Sequence, residues 1–197
     1  MTGAGAVFNT ARVRPGQSVA VIGCGGIGLN VIQAAVISGA SPVVAIDRLA
    51  SKLQRALDFG ATDVVDASTV DPVSAVRDLT HGGADHAFEV VGNKSTVEQA
   101  WDMLGLQGTA TVVGALPTGT TLEISGDAML TERRLQGCFL GSGRYRVDMP
   151  MLFGMYLDGR LNLDDLVSAE IALDDVNAGY DRLLAGDVAR SVITFDA

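Results

Sequence analysis

The 197-residue chain has few cysteines and few basic side chains. Its two cysteines, Cys24 and Cys138, lie far apart within apolar runs, so neither a disulfide framework nor a Cys-x-x-Cys metal motif is visible. A reducing, cytoplasmic setting is therefore expected. Lysine and arginine number 14 against 23 aspartate and glutamate residues, and the net charge of −9 opposes binding of nucleic acid through its phosphates. A basic start followed by an apolar block is also missing from the N-terminus, so we expect no secretory signal.

Charged residues are absent from residues 15–46, a stretch long enough to span a bilayer. Six glycines, Pro42 and several polar side chains interrupt this stretch, so it predicts a buried strand, turn and helix and no membrane partner. With 48% hydrophobic and 19% charged residues, the composition is typical of a globular protein.

Strand and helix patterns alternate along the first 115 residues. β-Branched apolar runs predict strands at 18–23, 42–46, 63–66, 87–91 and 109–115. Apolar periodicity predicts helices at 26–38, 50–59, 73–79 and 95–104, the first of them ending at Gly39. Continuous apolar strands that alternate with helices indicate an α/β fold of the Rossmann type, a doubly wound parallel sheet with helices on both faces.

The pattern changes after residue 140. Residues 141–150 are glycine-rich, basic and end in proline, which predicts a connection without regular structure. Beyond it we predict a helix near 151–157, a strand near 167–172, a helix at 176–184 and a strand at 191–195. This tail is short for an independent domain. We therefore predict a dinucleotide-binding domain at 1–140 and a segment at 141–197 that packs against another part of a protein.

A glycine triplet, Gly23, Gly25 and Gly28, joins the first predicted strand to the first helix. A dinucleotide site needs the first glycine for a tight turn, the second for close approach of the pyrophosphate, and the third for helix packing. The helix, starting at Gly26 and Ile27, would direct its free N–H groups and its positive dipole end at the phosphates.

An acidic residue supports the interpretation of the glycine triplet as a dinucleotide site. Asp47 ends the second predicted strand, 19 residues after Gly28, at the spacing of a carboxylate that binds the adenosine ribose. A 2′-phosphate there would meet like-charge repulsion on the order of 1 to 4 kcal/mol, which favours NAD over NADP. Arg48 is expected to stack on the adenine or to point into solvent. A purely structural turn is the alternative interpretation of the triplet, but the flanking strand, helix and acid favour the cofactor site.

The chain resembles the medium-chain dehydrogenase/reductase superfamily and, within it, the zinc-dependent alcohol dehydrogenases. The resemblance is carried by TGAGAVFNTARVRPG, by the glycine turn, and by AIDRLASKLQRALDFGATDVVD, AFEVVGN, TVVGALP and GDVARSVITF. It implies that Asp47 and Lys52 hold the adenosine ribose and that Val91 lines the nucleotide cleft. It further implies Val113, Gly114, Ala115 and Thr2 beside the nicotinamide, Leu140 over the cofactor, and Arg190 at the pyrophosphate.

In this family a separate N-terminal domain supplies the ligands of the catalytic zinc and the proton relay. The resemblance implies that this chain begins beyond the last of those ligands. Cys24, Cys138, His81 and His86 show no ligand spacing, so we assign no catalytic and no metal-binding residue. The chain alone is expected to bind NAD(H) and to turn over little alcohol or aldehyde. Zinc is expected only in the full-length family enzyme.

The resemblance also implies a homodimer, paired through a sheet-edge strand at 135–139. Two alternatives to an alcohol dehydrogenase stay open. One is a non-enzymatic NAD(H)-binding module, and the other is part of a zinc-independent enzyme similar to quinone reductases.

Overall fold

The structure, a computed structural model, describes residues 1–186 and 188–195. It has two compact units, Met1–Leu152 and Phe153–Ala197. The predicted division after residue 140 refers to the domains of a longer enzyme, and it stays a prediction.

The first unit contains a six-stranded parallel sheet in the order β3-β2-β1-β4-β5-β6. The strands are β1 (Val19–Ile22), β2 (Val43–Asp47), β3 (Asp63–Asp66), β4 (Ala84–Glu89), β5 (Leu104–Val112) and β6 (Arg134–Gly137). This is the strand order of a doubly wound dinucleotide-binding fold. The predicted fold class is confirmed.

Six helices accompany this sheet or follow it: α1 (Thr2–Gly5), α2 (Gly26–Ile37), α3 (Ala50–Asp58), α4 (Pro72–Leu79), α5 (Lys94–Asp102) and α6 (Tyr145–Leu157). α1 continues into a π-helical segment, Ala6–Ala11, and neither was predicted from the sequence. α2 ends at Ile37, one residue before the predicted end, and the predicted terminator Gly39 follows with a φ of 78°.

The core lies at the central strands. All four residues of β1 are buried, and so are the first four of β2, because helices cover both faces of the sheet. Trp101 of α5 and Phe88 of β4 are fully buried. The continuous apolar runs in the sequence therefore correspond to strands that are shielded on both sides.

Several predicted boundaries were wrong, among them β4, which spans Ala84–Glu89 and not 87–91. α6 begins at Tyr145 and not near 151, because the Asp148 carboxylate accepts a hydrogen bond from the backbone N–H of Arg144 at 2.7 Å and so stabilises an earlier helix start. β5 spans Leu104–Val112 and not 109–115. It ends before Val113 because the N–H groups of Val113 and Gly114 both donate to the carbonyl oxygen of Glu89.

The second unit contains a two-stranded parallel sheet of β7 (Ala169–Ile171) and β8 (Ser191–Ile193) and the helix α7 (Val176–Ala185). All three elements were predicted, although the predicted strands, 167–172 and 191–195, are three and two residues longer than the observed ones. Gly179 of α7 packs closely on the Ile171 side chain, where an added Cβ would lie 2.8 Å from Cδ1. In the described ranges no helix is both long enough and apolar enough to cross a membrane.

Candidate functional site

A cleft of about 790 Å³ opens at the carboxyl ends of β1, β2 and β4. β1 lies between β2 and β4, so the chain leaves the centre of the sheet in one direction and later returns to the other side. Ligands of open α/β sheets bind at such a switch point. Six predicted site residues line this cleft: Gly23, Gly25, Asp47, Arg48, Lys52 and Val91.

The glycines of the turn differ in what surrounds them. Gly23 has a φ of 100°, and a Cβ there would lie 2.8 Å from the Val91 side chain. A Cβ on Gly28 would overlap the carbonyl oxygen of Gly23. Gly25 has ordinary φ (−81°), and a Cβ on it would meet open space. Two glycines are therefore required by the fold, whereas the third leaves the cleft floor free of side chain.

The start of α2 presents unpaired donors. Gly25 precedes the helix in an extended conformation, no side chain of residues 1–186 or 188–195 caps the helix, and its first turn carries no acidic residue. Such a helix start leaves free N–H groups, here those of Gly26, Ile27 and Gly28, and carries the positive end of the helix dipole. The arrangement fits a pyrophosphate.

Asp47 supports the turn as well as lining the cleft. One carboxylate oxygen accepts the backbone N–H of Cys24 at 2.8 Å. The other accepts the N–H groups of Arg48 at 2.7 Å and Leu49 at 3.2 Å. A carboxylate has about four lone-pair positions, so capacity for a ribose hydroxyl remains. No pattern in the sequence indicates that this acid also stabilises the conformation of the glycine turn.

Cys24, between the glycines, is buried and inert. Burial, followed by the negative charge of Asp47, raises the pKa of its thiol to about 12. Its Sγ lies 3.6 Å from the carbonyl oxygen of Ile46, on the core side of the turn. The thiol therefore stays neutral beside the cleft and adds no negative charge that would repel a phosphate.

Glu89 is a buried carboxylate that sequence reasoning did not single out. It ends β4, and its Oε1 accepts hydrogen bonds from the N–H groups of Val91 and Gly92, at 2.9 and 2.7 Å, and from the Thr96 hydroxyl at 2.7 Å. In the described part of the chain its Oε2 has no partner. Burial of a charge is costly, so an acid at the end of an apolar strand was a usable signal.

Glu89 also joins the two loops that flank the cleft. Its main-chain oxygen accepts from Val113 and Gly114, and its side chain holds the loop after β4. A Cβ on Gly92 would lie 2.6 Å from the carbonyl oxygen of Ala115. The predicted segment 113–115 therefore lies directly against the loop that carries Val91.

Thr2 and Leu140 come together beside α2. A Cβ on Gly3 would lie 2.5 Å from the carbonyl oxygen of Ile27, so α1 packs on the start of that helix. Leu140, 60% exposed and with a φ of 50°, precedes Gly141, whose added Cβ would lie 2.7 Å from the carbonyl oxygen of Thr2.

Arg190 lies in the second unit, where its carbonyl oxygen accepts the N–H of Ser168 at 2.8 Å. Its side chain is exposed. The predicted contact of Arg190 with the pyrophosphate stays a prediction, as do the roles of the other predicted residues toward a cofactor.

Several residues that line the cleft were not predicted: Leu49, Ser68, Val90, Asn93, Ser95, Thr96 and Gln99. Asn93 accepts the N–H of Ser95 and caps α5, so a polar helix start directly after an apolar strand was the available signal.

Within residues 1–186 and 188–195, no three His, Cys, Asp or Glu side chains form a group that could hold a metal ion.

Comparisons with known proteins agree with this geometry. Residues 26–154 match the family model described as zinc-binding dehydrogenase. The chain is 37% identical over 194 residues to the Schizosaccharomyces pombe protein named "Probable S-(hydroxymethyl)glutathione dehydrogenase 1", covering 98% of this chain and 51% of that protein. The chain spans about half the length of the curated relatives it matches.

Two solved structures are similar over most of the chain. Benzyl alcohol dehydrogenase from Acinetobacter calcoaceticus gives a TM-score of 0.96 at 35% identity, covering 99% of this chain and 54% of that one. A protein from Sinorhizobium meliloti 1021, solved with bound NADP, gives a TM-score of 0.81 at 31% identity, covering 89% of this chain and 52% of that one.

Proposed function

Because the chain belongs to the zinc-binding dehydrogenase family, we propose that it is the cofactor-binding part of an NAD-dependent alcohol dehydrogenase. The reaction would be hydride transfer between an alcohol or aldehyde and NAD. The observation that carries the proposal is the position of Asp47, at the carboxyl end of β2 and hydrogen-bonded to the glycine turn.

The residues of the cleft fit a dinucleotide. The open space at Gly25 and the free N–H groups of Gly26 and Ile27 suit the pyrophosphate, and the Asp47 carboxylate suits the adenosine ribose. Lys52 and Val91 line the same cleft and are proposed to contact the nucleotide. When bound, the nicotinamide supplies the chemistry of accepting or donating the hydride.

The remaining predicted residues are proposed to act at the nicotinamide and at the edges of the cofactor. Val113, Gly114 and Ala115 are proposed to lie along the nicotinamide. The carbonyl oxygen of Glu89 accepts the N–H groups of Val113 and Gly114 and so supports this segment. Thr2 and Leu140 are proposed to lie beside the nicotinamide and over the cofactor, and Arg190 to reach the pyrophosphate.

The choice between NAD and NADP depends on charge. The similar Sinorhizobium meliloti protein was solved with NADP, so NADP is the competing cofactor. In this chain the half-buried Asp47 would repel a 2′-phosphate by roughly 1 to 4 kcal/mol at partly solvated separations. Arg48, which is exposed, is proposed to contact the adenine or the solvent.

The substrate and the metal are proposed to bind elsewhere. In the zinc-dependent alcohol dehydrogenases that this chain resembles, a separate domain holds the zinc and the proton relay. We propose that the alcohol or aldehyde and the zinc bind on such a domain, and that the 197-residue chain alone turns over little alcohol. A reducing, cytoplasmic setting is proposed from the two free, buried cysteines.

The proposal is tested by titrating NADH and NADPH into the chain and into Gly25→Val, with binding followed by nicotinamide fluorescence. NADH should bind at least about tenfold more tightly than NADPH, a difference of about 1.4 kcal/mol or more. Gly25→Val should lose at least about tenfold in NADH affinity, because its side chain would occupy the place of the pyrophosphate.

The fold should survive this substitution, since a side chain on Gly25 meets open space at an ordinary φ of −81°. Gly126→Val is the matched control, because Gly126 has equally open surroundings and lies outside the residues that line the cleft. Tighter binding of NADPH, or an unchanged NADH affinity in Gly25→Val, would refute the assignment. Asp47 itself is a poor target, because its loss would also release the N–H of Cys24.

A further inference from the structure

A second cavity, of about 410 Å³, lies at the opposite edge of the sheet from the cofactor cleft. Its walls come from the loop before β1 and from the starts of the paired regions of β4, β5 and β6. Amino ends of parallel strands share one edge, so this cavity and the cleft at the carboxyl ends are separate places.

Three arginines line this cavity, although the chain as a whole carries a net charge of −9. They are Arg12, Arg14 and Arg134. None of the ion pairs formed by the described residues involves them. The acid among the lining residues, Asp85, is engaged by the N–H and the hydroxyl of Ser18, at 2.7 and 2.8 Å. Asp85 formally offsets one of the three positive charges, so the residues that line the cavity keep a formal net charge of about +2.

The pairing of β4, β5 and β6 places Arg134 on the same row of residues as the buried His86. Arg134 is paired with Thr109, and Thr109 with His86, so two strand spacings, roughly 10 Å, separate the Cα atoms of Arg134 and His86. Gln17 connects His86 to the basic loop. Its side-chain oxygen accepts the N–H of Arg14 at 2.8 Å and lies 3.1 Å from His86 Nε2.

The second ring nitrogen of His86 lacks a partner. An amide oxygen can only accept, so Nε2 is the donor to Gln17 and Nδ1 carries the lone pair of the neutral ring. The residue is only 6% exposed, and burial lowers its pKa, which keeps the ring neutral. Nδ1 has no hydrogen-bond partner among the described residues. His86 and three arginines without an ion pair among the described residues thus line one cavity.

We propose that this cavity binds an oxyanion with two or more negative charges, held by the guanidinium groups of Arg12, Arg14 and Arg134. Guanidinium forks match the geometry of phosphate and carboxylate oxygens, and an oxyanion would relieve the repulsion among three like charges. The cavity volume exceeds that of a single phosphate, so the ligand class includes pyrophosphate, phosphate esters and polycarboxylates. This site is independent of the proposed cofactor role.

Isothermal titration of inorganic pyrophosphate into the purified chain tests the proposal, with saturating NADH present and absent. We expect saturable one-site binding whose affinity changes less than about twofold with NADH, because the two sites lie at opposite sheet edges. Arg14→Gln and Arg134→Gln should each weaken pyrophosphate binding at least about fivefold, since each removes a charge-assisted contact. Both arginines are exposed, so neither variant should disturb the fold.

Two controls separate this site from the cleft. Arg182→Gln removes one positive charge from an exposed position on α7 and should leave pyrophosphate affinity unchanged. Gly25→Val should keep pyrophosphate binding even though it loses NADH binding. A parallel titration with citrate at equal ionic strength distinguishes the ligand sources. Equal affinity indicates any polyvalent oxyanion, and weaker affinity indicates phosphate-bearing ligands.

Three results would overturn the proposal. The first is no saturable binding of either anion. The second is displacement of pyrophosphate by NADH, which would locate the anion in the cofactor cleft. The third is equal weakening by Arg182→Gln and by the two cavity variants, which would indicate nonspecific attraction.

Discussion

Glu89 is a fully buried acid that connects three segments around the cleft. Its side chain accepts from the loop after β4 and from α5, and its main chain accepts from the segment after β5. A residue of this kind can determine the shape of a binding cleft without touching the ligand. Substitution of Glu89 should therefore first lower the stability of the folded protein.

We predict that Glu89→Ala lowers the free energy of unfolding by at least about 3 kcal/mol, because it leaves three part-buried donors without an acceptor. Glu89→Gln keeps one carbonyl oxygen in the place of Oε1 and should cost less than half as much. Urea denaturation of both variants gives the measurement. Equal losses in the two variants would show that the hydrogen bonds at Oε1 do not stabilise this region.

Among single residues, those that could be predicted from the sequence are the ones whose spacing matches that of known dinucleotide sites. The glycine triplet and Asp47 were predicted because the distance between a phosphate turn and a ribose-binding acid is set by one strand, one helix and one strand. Glu89 was missed although an acid at the end of an apolar strand was a usable signal. The arginine cavity was missed because its residues come from segments distant in sequence, which only the pairing of β1, β4, β5 and β6 brings together.

Among the elements, α4 shows how a short helix depends on the residue that caps its start. Asp71 precedes it, and the Asp71 carboxylate accepts the N–H of Ser74 at 3.0 Å and the Ser74 hydroxyl at 2.6 Å. These two hydrogen bonds from Ser74 lower the pKa of Asp71 from its ordinary value of 3.8. The cap therefore favours the ionised carboxylate.

Asp71→Ala should lower the free energy of unfolding by about 1 kcal/mol at pH 7, measured by chemical denaturation. Because the folded-state pKa is depressed, this contribution is present above pH 3.8 and is lost as the pH falls through the folded-state value. Asp78→Ala is the matched control on the same helix. Asp78 is exposed near the negative end of the helix dipole, so its removal should cost nothing. A loss of equal size in both variants would contradict the capping role.

Most elements could be predicted because a buried parallel sheet needs continuous apolar strands. The failures have local causes. Glycine and Pro150 in residues 141–150 suggested a loop, but the Asp148 carboxylate accepts the backbone N–H of Arg144 and so stabilises the start of α6 there. The helical segments at residues 2–11 were missed because two glycines lie among small and polar residues, and the packing of Gly3 on α2 stabilises them.

For the whole molecule, the exposed edge of the six-stranded sheet is the feature that bears on assembly. β6 forms that edge, and the side chains next to it, Leu130 and Phe139, are 88% and 84% exposed. An unpaired strand flanked by exposed apolar groups favours association with a second copy. The expected homodimer therefore has a candidate surface.

We expect sedimentation to give a dimer for the chain and mostly monomer for Phe139→Asp. A charge buried at the interface should raise the dissociation constant at least about a hundredfold, or about 2.7 kcal/mol. Val70→Asp places the same charge at another exposed apolar residue, 51% exposed and away from β6, and should leave the dimer intact. A monomeric parent chain would refute the dimer.

The high pKa of the Cys24 thiol has a consequence for the chemical reactivity of the protein. With a pKa of about 12, on the order of one thiol in 10⁵ is ionised at pH 7, and only the thiolate reacts readily with alkylating agents and peroxides. The cysteine between the phosphate-binding glycines is therefore protected against oxidative damage while the protein is folded. Modification of Cys24 would signal that the turn had opened, which makes this side chain a built-in reporter of local unfolding.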